Sequence, residues 1–126
     1  MEINASISVG ELIDKITILE IKLQKIKDPK KLENINIELD TLNQHFTEIK
    51  NENLSQLKNN LKEVNLKLWQ IEDDIRVCEK NQSFDKNFIE LARSVYITND
   101  QRFEIKNSIN ELFSSEIKEV KSYEQY

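Results

Sequence analysis

Apolar residues recur along this chain in alternating steps of three and four, the spacing that places them on one stripe of an α-helix. The first series follows Ser8-Val9-Gly10-Glu11, which has the form of a capping box. Ser8 would accept a hydrogen bond from the third helical N–H, and Glu11 would reach back to Ser8. We therefore predict a first helix from about residue 9 to residue 27. Its stripe consists of Leu12, Ile16, Leu19, Leu23 and Ile26.

Two further helices follow the same pattern. Asp28 and Pro29 end the first helix and begin the second, because aspartate is a good cap and proline suits the first helical position. Asn53, with Gln56 three residues later, is predicted to cap the third helix, which should be about 40 Å long at 1.5 Å per residue. The second stripe is Leu32, Ile35, Leu39, Leu42, Phe46 and Ile49, and the third is Leu54, Leu57, Leu61, Val64, Leu68, Ile71, Ile75 and Cys78.

The fourth series contains polar residues and leaves two alternatives open. Ser83 or Asp85 begins the helix, and Thr98-Asn99-Asp100-Gln101 could then cap a fresh one. Alternatively, one helix continues to about residue 114, which we favour because the phase of the stripe survives the polar stretch. The stripe is Phe88, Leu91, Val95, Thr98 or Asn99, Arg102, Lys106, Ile109 and Phe113. Residues 119–126 carry no pattern and are predicted to be loosely ordered.

These elements predict an all-α fold, an antiparallel bundle of four long helices with coiled-coil-like heptad packing, the last helix continuous or split in two. The short connections place successive helices antiparallel. One glycine and one proline in 126 residues are too few for a turn-rich sheet fold. We expect a single domain over residues 1–126.

Composition excludes several classes of function. The net charge of −5 argues against nucleic acid as a partner, because phosphate binding needs a basic surface. No apolar run approaches the roughly 20 residues that cross a bilayer, and the N-terminus lacks signal-peptide features, so we expect a cytoplasmic protein without a membrane partner. Cys78 is the only cysteine and His45 the only histidine, which leaves no disulfide, no structural zinc site and no evident cofactor.

The first helix has more apolar residues than one stripe requires. Ile18 and Ile21 fall on the far side of the helical wheel from the stripe. They could be covered by the fourth helix, which would make the first helix central, or by another subunit. We favour burial within the chain and keep Ile18 and Ile21 as a candidate interaction surface.

Several charged residues face the predicted interior. In a continuous fourth helix, Arg102 lies mid-stripe with Lys106 one turn later and Asn99 one turn earlier. Two cations and an amide aimed inward require anions. A bound ligand could supply them, or carboxylates of other helices could: Glu20, Glu11, Asp14 or Glu72. A buried ion-pair network that sets helix register is favoured. A small-anion or nucleotide site at these residues is the second alternative, and solvent-facing side chains on a broken helix are the third.

A metal-dependent reaction has weaker support. Glu11-x-x-Asp14 and Glu72-Asp73-Asp74 have the carboxylate spacing with which helical nucleotide pyrophosphatases hold magnesium. Asp73 and Asp74, however, point away from the third stripe. No catalytic residue and no metal ligand is assigned on this basis.

Five blocks carry a resemblance to a known family: SVGELIDKITILEIKL, LWQIEDDIR, FIELARSVYITNDQR, IKNSINELF and EVKSY. Together they resemble a small bacterial family of uncharacterised proteins of about this length, a domain of unknown function. The resemblance implies a stand-alone, cytoplasmic helical protein and carries no activity, cofactor or catalytic residue onto any position. The positions worth testing in these blocks include Glu11, Asp14, Lys15, Glu72, Arg76, Asn99, Asp100, Arg102, Lys106, Lys121 and Tyr123.

Our leading functional prediction is a non-enzymatic helical protein that acts by binding a protein partner or a second copy of itself. The absence of a complete catalytic set and the second apolar surface motivate it. The alternative is a small-anion or nucleotide-binding protein built on Arg102, Lys106 and Asn99.

Overall fold

The computed structural model describes residues 1–114 and 119–126 of the chain. Those residues form four helices and no strand, so the predicted all-α class is confirmed. None of these helices is long and apolar enough to cross a membrane. The helices are α1 (Val9–Lys25), α2 (Pro29–Phe46), α3 (Leu54–Lys80) and α4 (Lys86–Leu112).

The starts of α1 and α2 follow local sequence signals. The Ser8 hydroxyl accepts a hydrogen bond from the Glu11 N–H at 3.1 Å, as predicted. The second half of the capping box is replaced by a tertiary contact, because the Glu11 carboxylate reaches Lys106 of α4. Asp28 caps α2 by accepting from the Lys30 N–H at 3.1 Å, with proline at the first helical position.

The caps of α3 and α4 differ in kind. The prediction that Asn53 caps α3 through its side chain is wrong, since that side chain makes no capping hydrogen bond. The preceding turn is instead closed by Asn51, whose side-chain oxygen accepts from the Asn53 N–H at 2.8 Å. Of the two residues offered for α4, Asp85 is the cap, accepting from the N–H groups of Asn87 and Phe88.

Helix α1 is the centre of the fold. It packs against the other three helices, α3 packs against α4, and α2 packs mainly against α1. The last residue of α2, Phe46, also meets Lys58 of α3, whose Nζ lies 4.8 Å from the centre of its ring. The predicted stripe of α1 faces α2 in a cluster made of Leu12, Ile16, Leu19, Ile35 and Leu39. The opposite side of α1 faces the α3–α4 hairpin in a second cluster made of Ile13, Leu54, Leu61 and Ile109. The bundle is therefore layered, with α1 between α2 and the hairpin.

Helix α4 is continuous over 27 residues, so the favoured alternative of one unbroken helix is correct. Thr98 is fully buried at the point where a break was considered. The chain direction of α4 is opposite to that of α1, because Gly10 contacts Asn110 while Asp14 contacts Arg102. This orientation places the polar residues of α4 directly against the first turns of α1.

The surplus apolar residues of α1 are used mainly inside the chain. Ile21 is only 1% exposed, and Ile18 is half-buried at the wall of a groove beside α3. Burial within the chain, the favoured alternative, therefore accounts for Ile21. Ile21 cannot serve as an exposed interaction surface in this arrangement, because the α3–α4 hairpin already covers its face of the helix. Ile18 is the part of that surface that remains accessible.

Candidate functional site

The close approach of α1 and α4 depends on the single glycine of the chain. The Gly10 N–H donates to the side-chain oxygen of Asn110 at 2.7 Å, so α4 supplies a partner for a free N–H in the first turn of α1. A Cβ atom at this position would overlap the backbone carbonyl oxygen of Lys106. Only a residue without a side chain allows the two backbones to come this close.

Asp14 is the buried centre of the contact, at 1% exposure. Its carboxylate accepts from Nε of Arg102 at 2.9 Å and from Nη2 of the same guanidinium. It also accepts from Nδ2 of Asn65 in α3, at 2.9 Å. The Asn65 amide lies 3.0 Å from the Thr17 hydroxyl, which donates to the Asp14 backbone carbonyl. A carboxylate buried to this degree requires such a set of partners, because an isolated buried charge is strongly unfavourable.

Lys106 joins the same contact from the next turn of α4. Its Nζ lies 2.8 Å from Glu11, 2.9 Å from Glu119 and 3.9 Å from Asp14. Burial lowers the pKa of Lys106, but hydrogen bonds to the two glutamates outweigh that effect and raise it above the ordinary value. The hydrogen bond to Asp14 likewise raises the pKa of Arg102. Both side chains are therefore cations at neutral pH.

We call Glu11, Asp14, Arg102, Lys106 and Glu119 the ionic cluster. Its three carboxylates face these two cations, and Lys15 adds a third cation 3.9 Å from Glu11, so the charges balance. This arrangement corresponds to the ion-pair network favoured from the sequence. The solvent-facing alternative is excluded, because α4 is continuous and the Lys106 side chain is only 8% exposed.

Glu20 does not belong to the ionic cluster. Its carboxylate lies 3.5 Å from Lys58 and 3.9 Å from Lys62, both on α3. The expectation that Glu20 meets Arg102 is therefore wrong, because Glu20 lies on the part of α1 that faces the start of α3. The cations that pair with Glu20 belong to α3, a helix that the sequence did not indicate.

A groove of about 440 Å³ opens beside the ionic cluster, between α1, α3 and α4. It is lined by Ile18, Ile21, Asn65, Leu68, Trp69, Glu72, Asp73, Arg76, Asn99 and Arg102. Arg102 belongs to both the groove and the ionic cluster, and 29% of its side chain is exposed. Its Nε and Nη2 are engaged by Asp14, and its Nη1 has no hydrogen-bond partner among residues 1–114 and 119–126.

The structure brings together most of the candidate residues. Glu11, Asp14, Arg102 and Lys106 form the ionic cluster, and Asn99 lines the groove with Ile18 and Ile21. Sequence analysis missed the side chains that complete the site, namely Gly10, Thr17, Asn65, Asn110 and Glu119. Of these residues, only Asn65 could have been predicted from the spacing. It lies four residues after Leu61 and three before Leu68, so it fits the stripe of α3 as well as Val64, the apolar residue that was assigned to this position.

The magnesium-type spacing has an ordinary explanation here. Glu11 and Asp14 are bound to cations of α4, and Glu72 lies 3.4 Å from Arg76 one turn later in α3. In the described ranges, no three His, Cys, Asp or Glu side chains are grouped to hold a metal ion. A divalent ion at Glu11 and Asp14 would have to displace Lys106 and Arg102.

Comparison with known proteins gives one match. The sequence matches the family of unknown function DUF6165 over residues 3–126, and the chain belongs to that family. This confirms the resemblance drawn from the sequence blocks. No curated protein and no solved structure matches the chain.

Proposed function

We propose that this member of a family of unknown function acts by binding, and that the groove between α1, α3 and α4 is its recognition site. The occupant we propose is a segment of a protein partner that presents one large apolar side chain flanked by basic residues. The observation that carries the proposal is the groove itself, in which an apolar floor lies beside an arginine held in place by a buried aspartate.

The apolar part of the groove suits a single anchoring side chain. Ile18 and Leu68 are half-buried, and Trp69 lies beside them. A volume of about 440 Å³ is within the roughly 300–1,000 Å³ range of ligand sites. Tryptophan and arginine are also the residue types that most often dominate the energetics of protein interfaces.

The polar part of the groove favours a hydrogen-bond acceptor without charge. Asp14 fixes the Arg102 guanidinium, so its Nη1 edge is already oriented before any partner binds. Asn99 lines the same wall. Backbone carbonyls of a bound segment could accept from both residues. A free anion would have to compete with the buried Asp14 carboxylate for the Arg102 guanidinium, which argues against the small-anion alternative.

Charge complementarity supports a basic partner. The whole chain carries a net charge of −5. At the rim of the groove Glu72 is paired with Arg76 at 3.4 Å, and Asp73 has no ion pair among residues 1–114 and 119–126. Basic residues beside the apolar anchor would speed association and favour the correct orientation.

A fluorescence titration tests the proposal, because Trp69 is the only tryptophan and lies in the groove. The probes share one aromatic side chain and differ in charge: phenylalaninamide is cationic, N-acetyl-phenylalaninamide is neutral and N-acetyl-phenylalanine is anionic. We expect the cationic and neutral probes to change Trp69 emission at millimolar concentrations and the anion to bind most weakly. Strongest binding by the anion would instead support the small-anion alternative.

Matched variants localise the response. Ile18→Glu places a charge in the groove and should abolish it, whereas Ile37→Glu changes an isoleucine of α2 that is 61% exposed and should not. If no probe affects Trp69, or if both variants behave alike, the groove is not the recognition site. Size-exclusion chromatography with light scattering tests self-association separately. A dimer that Ile18→Glu dissociates would identify the partner as a second copy of the chain.

A further inference from the structure

All three tyrosines of the chain line one cavity, which is distinct from the groove. It has a volume of about 560 Å³ and lies between α4 and the segment Glu119–Tyr126. We call it the tyrosine cavity. Its lining residues are Tyr96, Asp100, Phe103, Glu104, Lys121, Tyr123, Glu124, Gln125 and Tyr126.

A cation of the chain already occupies part of the tyrosine cavity. The Nζ of Lys121 lies 5.4 Å from the centre of the Phe103 ring and 5.9 Å from the centre of the Tyr123 ring. Both distances fall within the roughly 6 Å over which an aromatic face attracts a cation. The rings of Tyr96 and Tyr126 meet edge-to-face at 5.3 Å and form another wall of the cavity.

The polar contacts of Lys121 are long. Its Nζ is 3.5 Å from the backbone oxygen of Asn99 and 3.8 Å from the carboxylate of Asp100. A primary ammonium is strongly hydrated and depends on short hydrogen bonds to replace its water. Among the described residues Lys121 has no polar contact shorter than 3.5 Å, so the rings are its main attraction and another cation that they attract could replace it at low cost.

The charge of the cavity also favours a cation. Asp100, Glu104 and Glu124 contribute three carboxylates against the single ammonium of Lys121. Aromatic faces together with nearby carboxylates are the arrangement that recognises alkylated ammonium groups, whose charge is spread over methyl groups that contact the rings.

We propose that the tyrosine cavity binds a small organic cation with an alkylated ammonium group, and that Lys121 is the internal competitor that this ligand displaces. The ligand's ammonium takes the position between Phe103 and Tyr123, and Lys121 turns outward to solvent. This site is separate from the groove and does not depend on the function proposed there.

Choline is the probe, and 3,3-dimethyl-1-butanol is its neutral isostere. Binding is followed by NMR through the ring protons of the three tyrosines, with sodium chloride added to match ionic strength. We expect choline to bind in the millimolar range and the neutral isostere to bind far more weakly. Lys121→Met should tighten choline binding by about threefold to tenfold, as the loss of a competing cation at an aromatic site predicts.

Three further variants control for indirect effects. Lys121→Arg keeps the competing charge and should not tighten binding. Tyr123→Leu removes an aromatic face that is largely exposed, so the fold should persist while binding weakens by about threefold to tenfold. Phe84→Leu changes an exposed aromatic residue that does not line the cavity and should have no effect.

The proposal is overturned by equal binding of the neutral isostere, or by choline binding that Lys121→Met leaves unchanged or weakens. It is also overturned if Phe84→Leu reduces binding as much as Tyr123→Leu, because the effect would then not belong to this cavity. The Lys121→Met substitution would be uninformative if it released the terminal segment from α4. Loss of the Tyr96–Tyr126 ring contact in the spectrum without ligand would reveal this release, and the proposal would then be judged on Tyr123→Leu.

Discussion

Removing Arg102 should destabilise the protein far more than its partial exposure suggests. The Arg102→Leu variant keeps Asp14, whose carboxylate is 1% exposed and loses two hydrogen bonds. The nearest remaining cation is Lys106 at 3.9 Å, and it is already bound to two glutamates. Breaking a buried ion pair from one side costs about 3–5 kcal/mol. Because Asn65 still donates to Asp14, we expect a loss of about 3 kcal/mol.

The opposite substitution should cost less. Asp14→Asn leaves the Arg102 guanidinium without its anion, but 29% of that side chain is exposed and can reach water. We expect a loss of about 1–2 kcal/mol, close to the value of a hydrogen bond to a charged group. The double variant leaves neither member of the pair without its partner, so the two single losses should add to more than the double loss, by about 1–3 kcal/mol.

Urea denaturation followed by circular dichroism and by Trp69 fluorescence measures these differences. Arg76→Leu is the control, because Arg76 is an exposed arginine that pairs with Glu72 one turn away on the same helix. It should cost less than about 0.5 kcal/mol. The reasoning fails if Arg102→Leu costs as little as the control, or if Asp14→Asn is the more damaging of the two.

Three further predictions concern other parts of the α1–α4 contact and the terminal segment. Gly10→Ala should lower the free energy of unfolding by about 1–3 kcal/mol, because the new Cβ overlaps a backbone oxygen of α4. An unchanged melting temperature would refute the close approach of the two helices. Because the pKa of Lys106 is raised in the folded protein, its positive charge stabilises the fold. This stabilisation is fully present below pH 10.5, the ordinary pKa, and is lost as the pH rises through the pKa of the folded state. The stability difference between wild type and Lys106→Met should therefore shrink above pH 10.5, and a constant difference to pH 11.5 would contradict this. Hydrogen bonding to Asp100 raises the pKa of Tyr126 to about 12, so absorbance at 295 nm should show one late-titrating tyrosine that Asp100→Asn returns to the ordinary range.

Local chemistry explains why the helices could be predicted. Helix caps, proline and the three-four spacing of apolar residues act over only a few residues of sequence. Ser8, Asp28 and the stripe of α1 could therefore be identified without knowing which helix packs beside them. The continuity of α4 followed from the same logic, because the phase of its buried face was preserved through Thr98. The exception at Asn53 is also local, since Asn51 competes for the same turn.

The candidate site was only half visible in the sequence. Helical phase identified Arg102 and Lys106 as cations that face inward, and their burial required anions, of which Asp14 was one candidate. Phase could not supply Asn110, because a polar side chain that serves a neighbouring helix need not follow the stripe of its own helix. Asn65 does have the stripe spacing, but the neighbouring Val64 is apolar and fitted the pattern as well.

What the sequence alone determined is which residues form helices and which face of each is buried. Only the tertiary structure decided that α1 lies between α2 and the α3–α4 hairpin, that Glu20 pairs with α3, and that Asp14 meets Arg102. The physical reason is the distance along the chain over which each interaction acts. Helix formation and phase depend on atoms a few residues apart, whereas an ion pair requires two helices to be aligned within about 4 Å. Heptad spacing leaves both the choice of neighbour and that alignment open.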